Sequence, residues 1–516
     1  MTRSFPRRAA ALAAALGTLL GGCAVGPDFK RPDPPKTDAY LPDSPPTDFV
    51  AAGIPGGEAQ TIVRNLDIPG QWWQVFQSRP LNGLIEHALT ANPDIQAAEA
   101  ALRVAQANAR AQRGALFPTV GLAAGASQNQ NPASLQSPTA DNAQNYSLYT
   151  AGVTVSYTLD AFGGIRRQVE SLDAVAEQQC FQLEAAYLTL ASNVVTAALT
   201  EASLRAQIAA VQRIIAAQRD TLNILQRQSG LGAIPGGDVA TQQAALAQVE
   251  ATLPPLQKAL AQQRNLLATL SGRLPSQALA ERFNLDDLVL PHELPLSLPS
   301  KLVEQRPDVR AAEANVHAAS ALVGVAAANQ LPQITLNAGV SSAALTLGSL
   351  FGPGLIATTV GINVLQTVID GGQLAAKKKA AYAGLDQADA QYRSTVLLAF
   401  RNVADTLRAL EYDAIALQAT VTAERAATTS LDIARRRLDL GDTTYVFVLS
   451  AELLYQQALL ARVQAQTNRY MDTAALFQAL GGGWWNRDTA AIDANRLRCR
   501  PPAPRTPPEK TVASQR

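Results

Sequence analysis

Tyr149-Thr150-Ala151-Gly152-Val153-Thr154-Val155-Ser156-Tyr157-Thr158-Leu159-Asp160 is the stretch that decides the architecture. Tyr149, Ala151, Val153, Val155, Tyr157 and Leu159 fall on one side of an extended chain; Thr150, Gly152, Thr154, Ser156, Thr158 and Asp160 fall on the other. A period of two over this length specifies a β-strand with one apolar and one polar face. Upstream, Val120, Leu122, Ala124 and Ala126 alternate with Thr119, Gly121, Ala123, Gly125 and Ser127. Farther along, Ile334, Leu336, Ala338 and Val340 oppose Gln333, Thr335, Asn337 and Gly339, and Val360, Ile362 and Val364 oppose Thr359, Gly361 and Asn363. Transmembrane barrel strands need about 9–11 residues with this alternation, and a half-buried soluble sheet shares the local pattern.

Outward from these strands the sequence repeats itself. Asn92-Pro93-Asp94-Ile95-Gln96-Ala97-Ala98-Glu99 recurs as Arg306-Pro307-Asp308-Val309-Arg310-Ala311-Ala312-Glu313, Phe117-Pro118 as Leu331-Pro332, and Gly163-Gly164 as Gly371-Gly372. The period of roughly 210 residues far exceeds the 20–50 of solenoids, so the chain is a duplicated half-protein. Each copy reads helix, strand, strand, long helix, tip, helix. The first helices, 81–116 and 301–330, stop at the Pro pairs, because proline forces its predecessor into extended geometry.

After each glycine pair the apolar period lengthens. Ile165, Val169, Leu172, Ala176, Cys180, Leu183, Tyr187, Leu190 and Val194 step by three and four, as do Tyr392, Val396, Ala399, Val403, Leu407, Leu410, Ala414, Leu417 and Val421. No proline interrupts either run, so each helix is about 65 residues and about 100 Å long. A stripe sustained this far reads as coiled-coil-like packing. Turns at 230–237 and 440–444 end the long helices, and helices of about half the length return over 238–271 and 445–480. One returning helix stacked on one pre-strand helix matches a long helix. The fold class is therefore mainly α with a small β part: long helical hairpins, four strands and an internal duplication.

The N-terminus carries an address. Arg3, Arg7 and Arg8 precede an apolar run at 9–20, too short to span a bilayer as a helix but the length of a secretory signal core. It ends in Leu20-Gly21-Gly22-Cys23, which looks like a bacterial lipobox. That resemblance implies cleavage before Cys23, a diacylglycerol on its sulfur and an acyl group on the new amine, which together anchor firmly. Ala24 in place of Asp implies release to the outer membrane of a Gram-negative cell. The expected layout is signal peptide 1–22, extended Pro-rich segment 23–70, first repeat 71–300, second repeat 301–485 and a disordered polar tail 486–516.

Composition narrows the function. A net charge of +1 offers no clustered basic face for nucleic acid. Cys23, Cys180 and Cys499 form neither a disulfide framework nor a metal spacing, and Cys180 reads as a small buried apolar residue. His87, His292 and His317 are scattered, and the sequence holds no zinc-protease, phosphate-loop or nucleophile-elbow motif, so no metal and no enzyme are expected. Four strands cannot close a barrel, since the smallest membrane barrels use eight, and open edges are not tolerated in lipid. If the strands cross a membrane, several chains share one barrel.

Trp72-Trp73-Gln74-Val75-Phe76, Leu81-Asn82-Gly83-Leu84-Ile85-Glu86, Asn92-Pro93-Asp94, Leu116-Phe117-Pro118, Asp160-Ala161-Phe162-Gly163-Gly164 and Asp370-Gly371-Gly372 together resemble the outer membrane efflux protein family. With the lipobox the chain is most similar to its lipoprotein, NodT-like branch, which serves resistance-nodulation-division pumps. The resemblance implies a homotrimer with a shared twelve-stranded barrel and a helical periplasmic tunnel. It also implies hairpin tips that dock a periplasmic adaptor linked to an inner-membrane pump, the channel itself being a passive duct for small molecules. Protein secretion through a type I system is the alternative cargo, and a periplasm-spanning coiled-coil lipoprotein the alternative architecture. Family gates place an acid a few residues past a tyrosine at the second tip. Here Tyr445 is present and that position reads Ser450, which leaves Asp442, Glu452 and Asp238 as gate candidates, with Asp238 also suited to capping a helix. Arg166, Arg167, Lys377, Lys378 and Lys379 follow the strand-to-helix glycines and are candidates for lipid-headgroup contacts.

Overall fold

A computed structural model describes residues 24–43, 47–132, 134, 143–277 and 279–487; the signal segment, Cys23 and the tail from 488 lie outside them. The first-half elements are β1 (Asp48–Phe49), β2 (Gln60–Arg64), α1 (Arg79–Ala91), α2 (Pro93–Gly114), β3 (Thr119–Gln130), β4 (Asn145–Leu159), α3 (Gly164–Gly230) and α4 (Gly236–Leu270). Then follow β5 (Glu293–Leu296), α5 (Pro299–Gln305), α6 (Pro307–Ala328), β6 (Gln333–Ala344), β7 (Ile356–Leu365), α7 (Gln373–Asp439) and α8 (Tyr445–Ala479). The duplication is metrical: α2 and α6 have 22 residues each, α3 and α7 67 each, α4 and α8 35 each. Residues 24–32, 101–179 and 312–393 cluster into one compact unit, and 33–100, 180–311 and 394–487 into a second.

The first unit holds an antiparallel sheet in the order β3-β4-β6-β7. Its register aligns the alternation of every strand. Val120, Val155, Ala338 and Val360 form one cross-strand row, and Tyr157, Leu336 and Ile362 another. On the opposite face Thr119, Ser156, Asn337 and Gly361 line up. A slip of one residue would mix the two faces, so the pattern fixes the register.

Each expected pre-strand helix is in fact two helices. The 81–116 segment breaks between α1 and α2 at Asn92, and the 301–330 segment between α5 and α6 at Arg306. Asn92 (φ −68°, ψ 127°) and Arg306 (φ −80°, ψ 122°) are extended because proline follows each. Their side chains do equivalent work. Asn92 Oδ1 accepts the Asp94 amide at 2.8 Å while Nδ2 donates to Leu270 O, at the end of α4, at 2.9 Å. Arg306 donates to the Asp308 carboxylate at 2.7 Å and to Ala479 O, at the end of α8, at 2.9 Å. Each returning helix thus ends against the start of its own repeat's pre-strand helix. Gly272 and Gly481, both at positive φ, sit at these junctions, where a Cβ would lie 2.6 Å from Ala91 O or 2.7 Å from Gln305 O.

The second unit adds a sheet the alternation did not announce. β2 pairs antiparallel with β1 and parallel with β5, so the 23–70 segment contributes two short strands to a three-stranded sheet. Beside it Trp72 stacks on Phe477 (centroids 5.7 Å) and Phe76 is fully buried, which makes the Trp-Trp motif a core anchor. Ala210, Val211, Ile214 and Ile215 of α3 pack with Leu246 and Val249 of α4 and Leu459 of α8, the small residues allowing close approach. α4 contains Pro254 and Pro255, which remove two helical hydrogen bonds.

Candidate functional site

The sheet and the hairpin tips are the two places where this fold does something a packed core would not. On the sheet, the apolar face is open: Leu122 is 84% exposed, Val360 87% and Ile362 71%. No element among the described residues covers these rows. Exposing them to water forgoes roughly 25 cal/mol for each Å² of apolar surface, so a solvent other than water must lie against this face. β3 and β7 are edge strands, each leaving one side of its backbone unpaired.

At the base of this sheet, Asp160 and Asp370 begin the long helices. Asp160 accepts the amides of Ile165 (2.9 Å) and Arg166 (3.0 Å); Asp370 accepts those of Gly372 (2.9 Å) and Leu374 (2.7 Å). The Leu374 amide, followed by its neighbours, holds the Asp370 carboxyl below the usual carboxylate range. These caps were quoted in the sequence only as parts of a motif; an Asp three or four residues before a long apolar stripe is the signal that identifies them. Among the basic residues there, Arg166 pairs with Asp160 at 3.0 Å, while Lys377 and Lys379 are exposed and Lys378 half-buried. Arg167 is different from the expectation. It is 5% exposed, bonded to Glu170 at 2.8 Å and to Asp28, so it holds protein together and does not face lipid.

Asp28 belongs to a strap formed by residues 24–32, which lies within the same unit. Val25 N donates to Phe162 O (3.2 Å), Ala24 packs against Gly163, Phe29 stacks on His317 (4.3 Å), and Arg31 pairs with the buried Glu313 (2.8 Å). The residue that follows Cys23 is thereby placed at the end of strand β4. Cys23 itself lies outside the described residues.

The tips belong to the second unit. Tyr445, 5% exposed at the start of α8, donates its phenol to Gln242 Oε1 on α4, and Gln242 Nε2 donates to the Gln218 carbonyl of α3 at 2.9 Å. Burial pushes the Tyr445 phenol up, so it stays a donor at any physiological pH. Glu452, 4% exposed, accepts from Arg435 of α7 at 3.0 Å, and its second oxygen has no partner among the described residues. Leu225, Leu431, Ala434, Val448 and Ala451 pack with Tyr445 in one apolar cluster. Asp442 is at the rim, exposed and bonded to Arg437 at 2.9 Å. Ser450 is exposed and spends its hydroxyl on Val446 O. Asp238 does not cap its helix: Pro235 occupies that position, and Asp238 sits half-buried in the first turn. The structure thus brings Tyr445 and Glu452 into one buried cluster, leaves Asp442 at its edge and Asp238 in the first tip. Buried Gln242 and the exposed Arg435 are the partners of Tyr445 and Glu452 and were missed, since neither lies within a tip turn.

A second buried polar group lies in α8. Arg469 is fully buried, donates to Leu410 O at 2.9 Å, lies 5.5 Å from the Phe49 ring and leaves two nitrogens without partners among the described residues. Burial first, then the hydrogen bond and charge of Asp413, push the nearby Asp472 carboxyl well above the usual carboxylate range, against the pull of Arg469. Among the described residues no group of His, Cys, Asp and Glu could hold a metal.

Comparison with known proteins agrees with this geometry. Residues 84–273 and 298–482 match the model of the outer membrane efflux protein family, one segment for each repeat. The toluene efflux pump outer membrane protein TtgF of Pseudomonas putida is 31% identical over 501 residues, which cover 94% of this chain and 98% of that one. The pyoverdine export outer membrane protein OpmQ of Pseudomonas aeruginosa is 32% identical over 428 residues, covering 80% and 87% respectively. The solved outer-membrane channel OprN is 28% identical and superposes with a TM-score of 0.79 over 90% of this chain and all of its own. Duplicated hairpins, an open four-stranded sheet and a family match in both repeats have one explanation: the chain belongs to the outer membrane efflux protein family.

Proposed function

We propose that three copies of this chain form the outer-membrane exit duct of a tripartite efflux system. In this reading the duct receives small molecules from an inner-membrane pump through a periplasmic adaptor. The observation that carries the reading is the open apolar sheet with two unpaired edges. In lipid every backbone group must be bonded, so β7 of one copy must meet β3 of the next. Two copies would give eight strands, whose interior side chains fill; three give twelve and leave a lumen. The polar row of Thr119, Ser156, Asn337 and Gly361 then faces water inside. The family is one of channels, and the duct does no chemistry of its own. Relatives named for toluene efflux and pyoverdine export favour small molecules as cargo.

The lipid anchor is part of the proposal. Cys23 bears the diacyl group in this reading, and Ala24, which packs against Gly163 just past the end of β4, supports an anchor near that end of the sheet. Lys377, Lys378 and Lys379 contact anionic headgroups at the same level; unaltered lipid co-purification after changing all three to Gln would contradict this. At the hairpin tips, the Tyr445–Gln242 bond and the Glu452–Arg435 pair hold the duct shut, with Asp442 lining the rim. Planar-bilayer recording is the test. The purified protein should conduct in discrete steps, with larger steps in Glu452→Gln and altered cation preference in Asp442→Ala. Protein that inserts without conducting contradicts the duct, and unchanged Asp442→Ala conductance and selectivity removes that residue from the gate.

A further inference from the structure

We infer that the connection between β6 and β7, residues 345–355, is a lipid-seeking wedge that lies on the apolar face of the sheet and sets Leu347 and Phe351 among the acyl chains of the bilayer. The inference rests on the sheet crossing a membrane, as proposed above. The two hairpins of the duplicated sheet close differently. The connection of the first, 131–144, carries Asn131, Gln136, Asp141, Asn142 and Gln144 beside one large apolar residue, Leu135. That is the composition of a loop in water. The connection of the second carries Leu345, Leu347, Leu350, Phe351 and Leu355, and no Asp, Glu, Lys or Arg occurs anywhere from Gln333 to Ile369.

The path of the loop decides which face it takes. Ser342 and Ala344 belong to the apolar rows, Ser342 in register with Ala151 and Ile356, and Ala344 with Tyr149. Farther down that face Val360 and Ile362 are open, yet Ser342 is 6% exposed and Ala344 5%. Their neighbours on the polar face, Ser341 and Ala343, stay exposed. Ser342 Oγ donates to Leu350 O, and Leu350 is itself buried, so the loop folds back over this end of the apolar face. Leu347 and Phe351, on either side of Leu350, remain 68% and 79% exposed. The loop also bonds its own polar groups, as lipid requires. Leu347–Ser349 form one helical turn, the Leu350 amide donates to Leu347 O at 3.3 Å, the Gly352 amide to Ser349 O at 2.8 Å, and the Thr346 and Ser349 hydroxyls bond each other at 2.6 Å. Depth agrees. The paired apolar row runs from Ile334 to Ser342, about 27 Å along the strand. A barrel tilt of about 40° reduces that to about 20 Å, whereas the outward apolar band of such barrels is about 25 Å tall. The wedge supplies apolar surface where the row runs out.

Site-specific photo-cross-linking tests this. Full-length lipoprotein carrying Phe351→p-benzoylphenylalanine is reconstituted into vesicles of phosphatidylethanolamine and phosphatidylglycerol, irradiated, digested and analysed by mass spectrometry. The expected result is a mass shift of one phospholipid on the peptide that holds position 351. The same probe at Leu347, and at Val360 in the middle of the apolar face, should take lipid as well, while a probe at Asn337 on the polar face should not. Lipid adducts at Val360 but at neither 351 nor 347 would overturn the wedge and leave the duct intact. So would a covalent link from position 351 to a second copy, which would turn the loop over the lumen instead. A Val360 probe that fails to reach lipid removes the membrane-crossing sheet, and the wedge with it.

Discussion

Helices α4 and α8 are copies of each other in length and position within their repeats, yet the fold uses them differently. α4 buries five side chains and carries Pro254 and Pro255 near its middle. α8 buries sixteen, among them Glu452, Gln466, Arg469 and Thr473, and contains no proline. Duplication preserved the lengths that the end-to-end junctions at Asn92 and Arg306 require. Burial then divided the labour: the exposed copy tolerates broken helical hydrogen bonds that water can satisfy, while the buried copy carries the charges and the Tyr445 and Glu452 contacts at the tip.

The largest break in that comparison comes from moving the prolines. Val463, 2% exposed, occupies in α8 the place of Pro254 in α4. Val463→Pro should cost about 3 kcal/mol or more and abolish heat-resistant oligomers, whereas Pro254→Ala should leave thermal stability unchanged or raised. Equal effects from the two would erase the distinction. Next, Tyr445→Phe strands the Gln242 carbonyl oxygen and should cost about 1–3 kcal/mol, read as a lower melting temperature and larger channel steps.

A smaller, pH-dependent effect concerns Asp472. The folded chain keeps this carboxyl protonated at pH values where the unfolded chain, with an ordinary aspartate near 4, has lost the proton. Stability attributable to Asp472 is therefore greatest in acid and declines as pH rises above that value. Asp472→Asn cannot lose a proton, so its melting temperature relative to the parent should climb between pH 5 and pH 8; a flat or falling difference would show that the carboxyl is not held neutral. Asp370 has the opposite sign. Its depressed carboxyl stabilises above the unfolded value and loses that contribution in acid. The smallest change is Asp442→Ala, where an exposed pair with Arg437 contributes about 0–1 kcal/mol, so the melting temperature should barely move even as conductance does.

Much of this architecture is legible in the sequence. Alternation located the strands to within a few residues, because both faces of a lipid-crossing sheet are specified at once. The three-four stripe and missing prolines gave the long helices almost to their ends. The small sheet was not legible: Thr61–Arg64 pairs with Glu293–Leu296 across some 230 residues, and segments of four or five residues carry too little pattern to announce a partner. The helix break at Asn92 was visible as a motif, but its function depends on reaching Leu270, which no local rule contains. The contacts at the tip were half-read for the same reason. Tyr445 and Glu452 stood out beside a turn, while Gln242 and Arg435 matter only through what they touch.

Everything about the duct depends on the sheet being one third of a closed wall. The mass of the complex extracted in mild detergent, measured by native mass spectrometry, tests this most directly. A mass of three mature lipidated chains is predicted; a stable monomer with its apolar sheet face still in detergent, or a dimer, would contradict it.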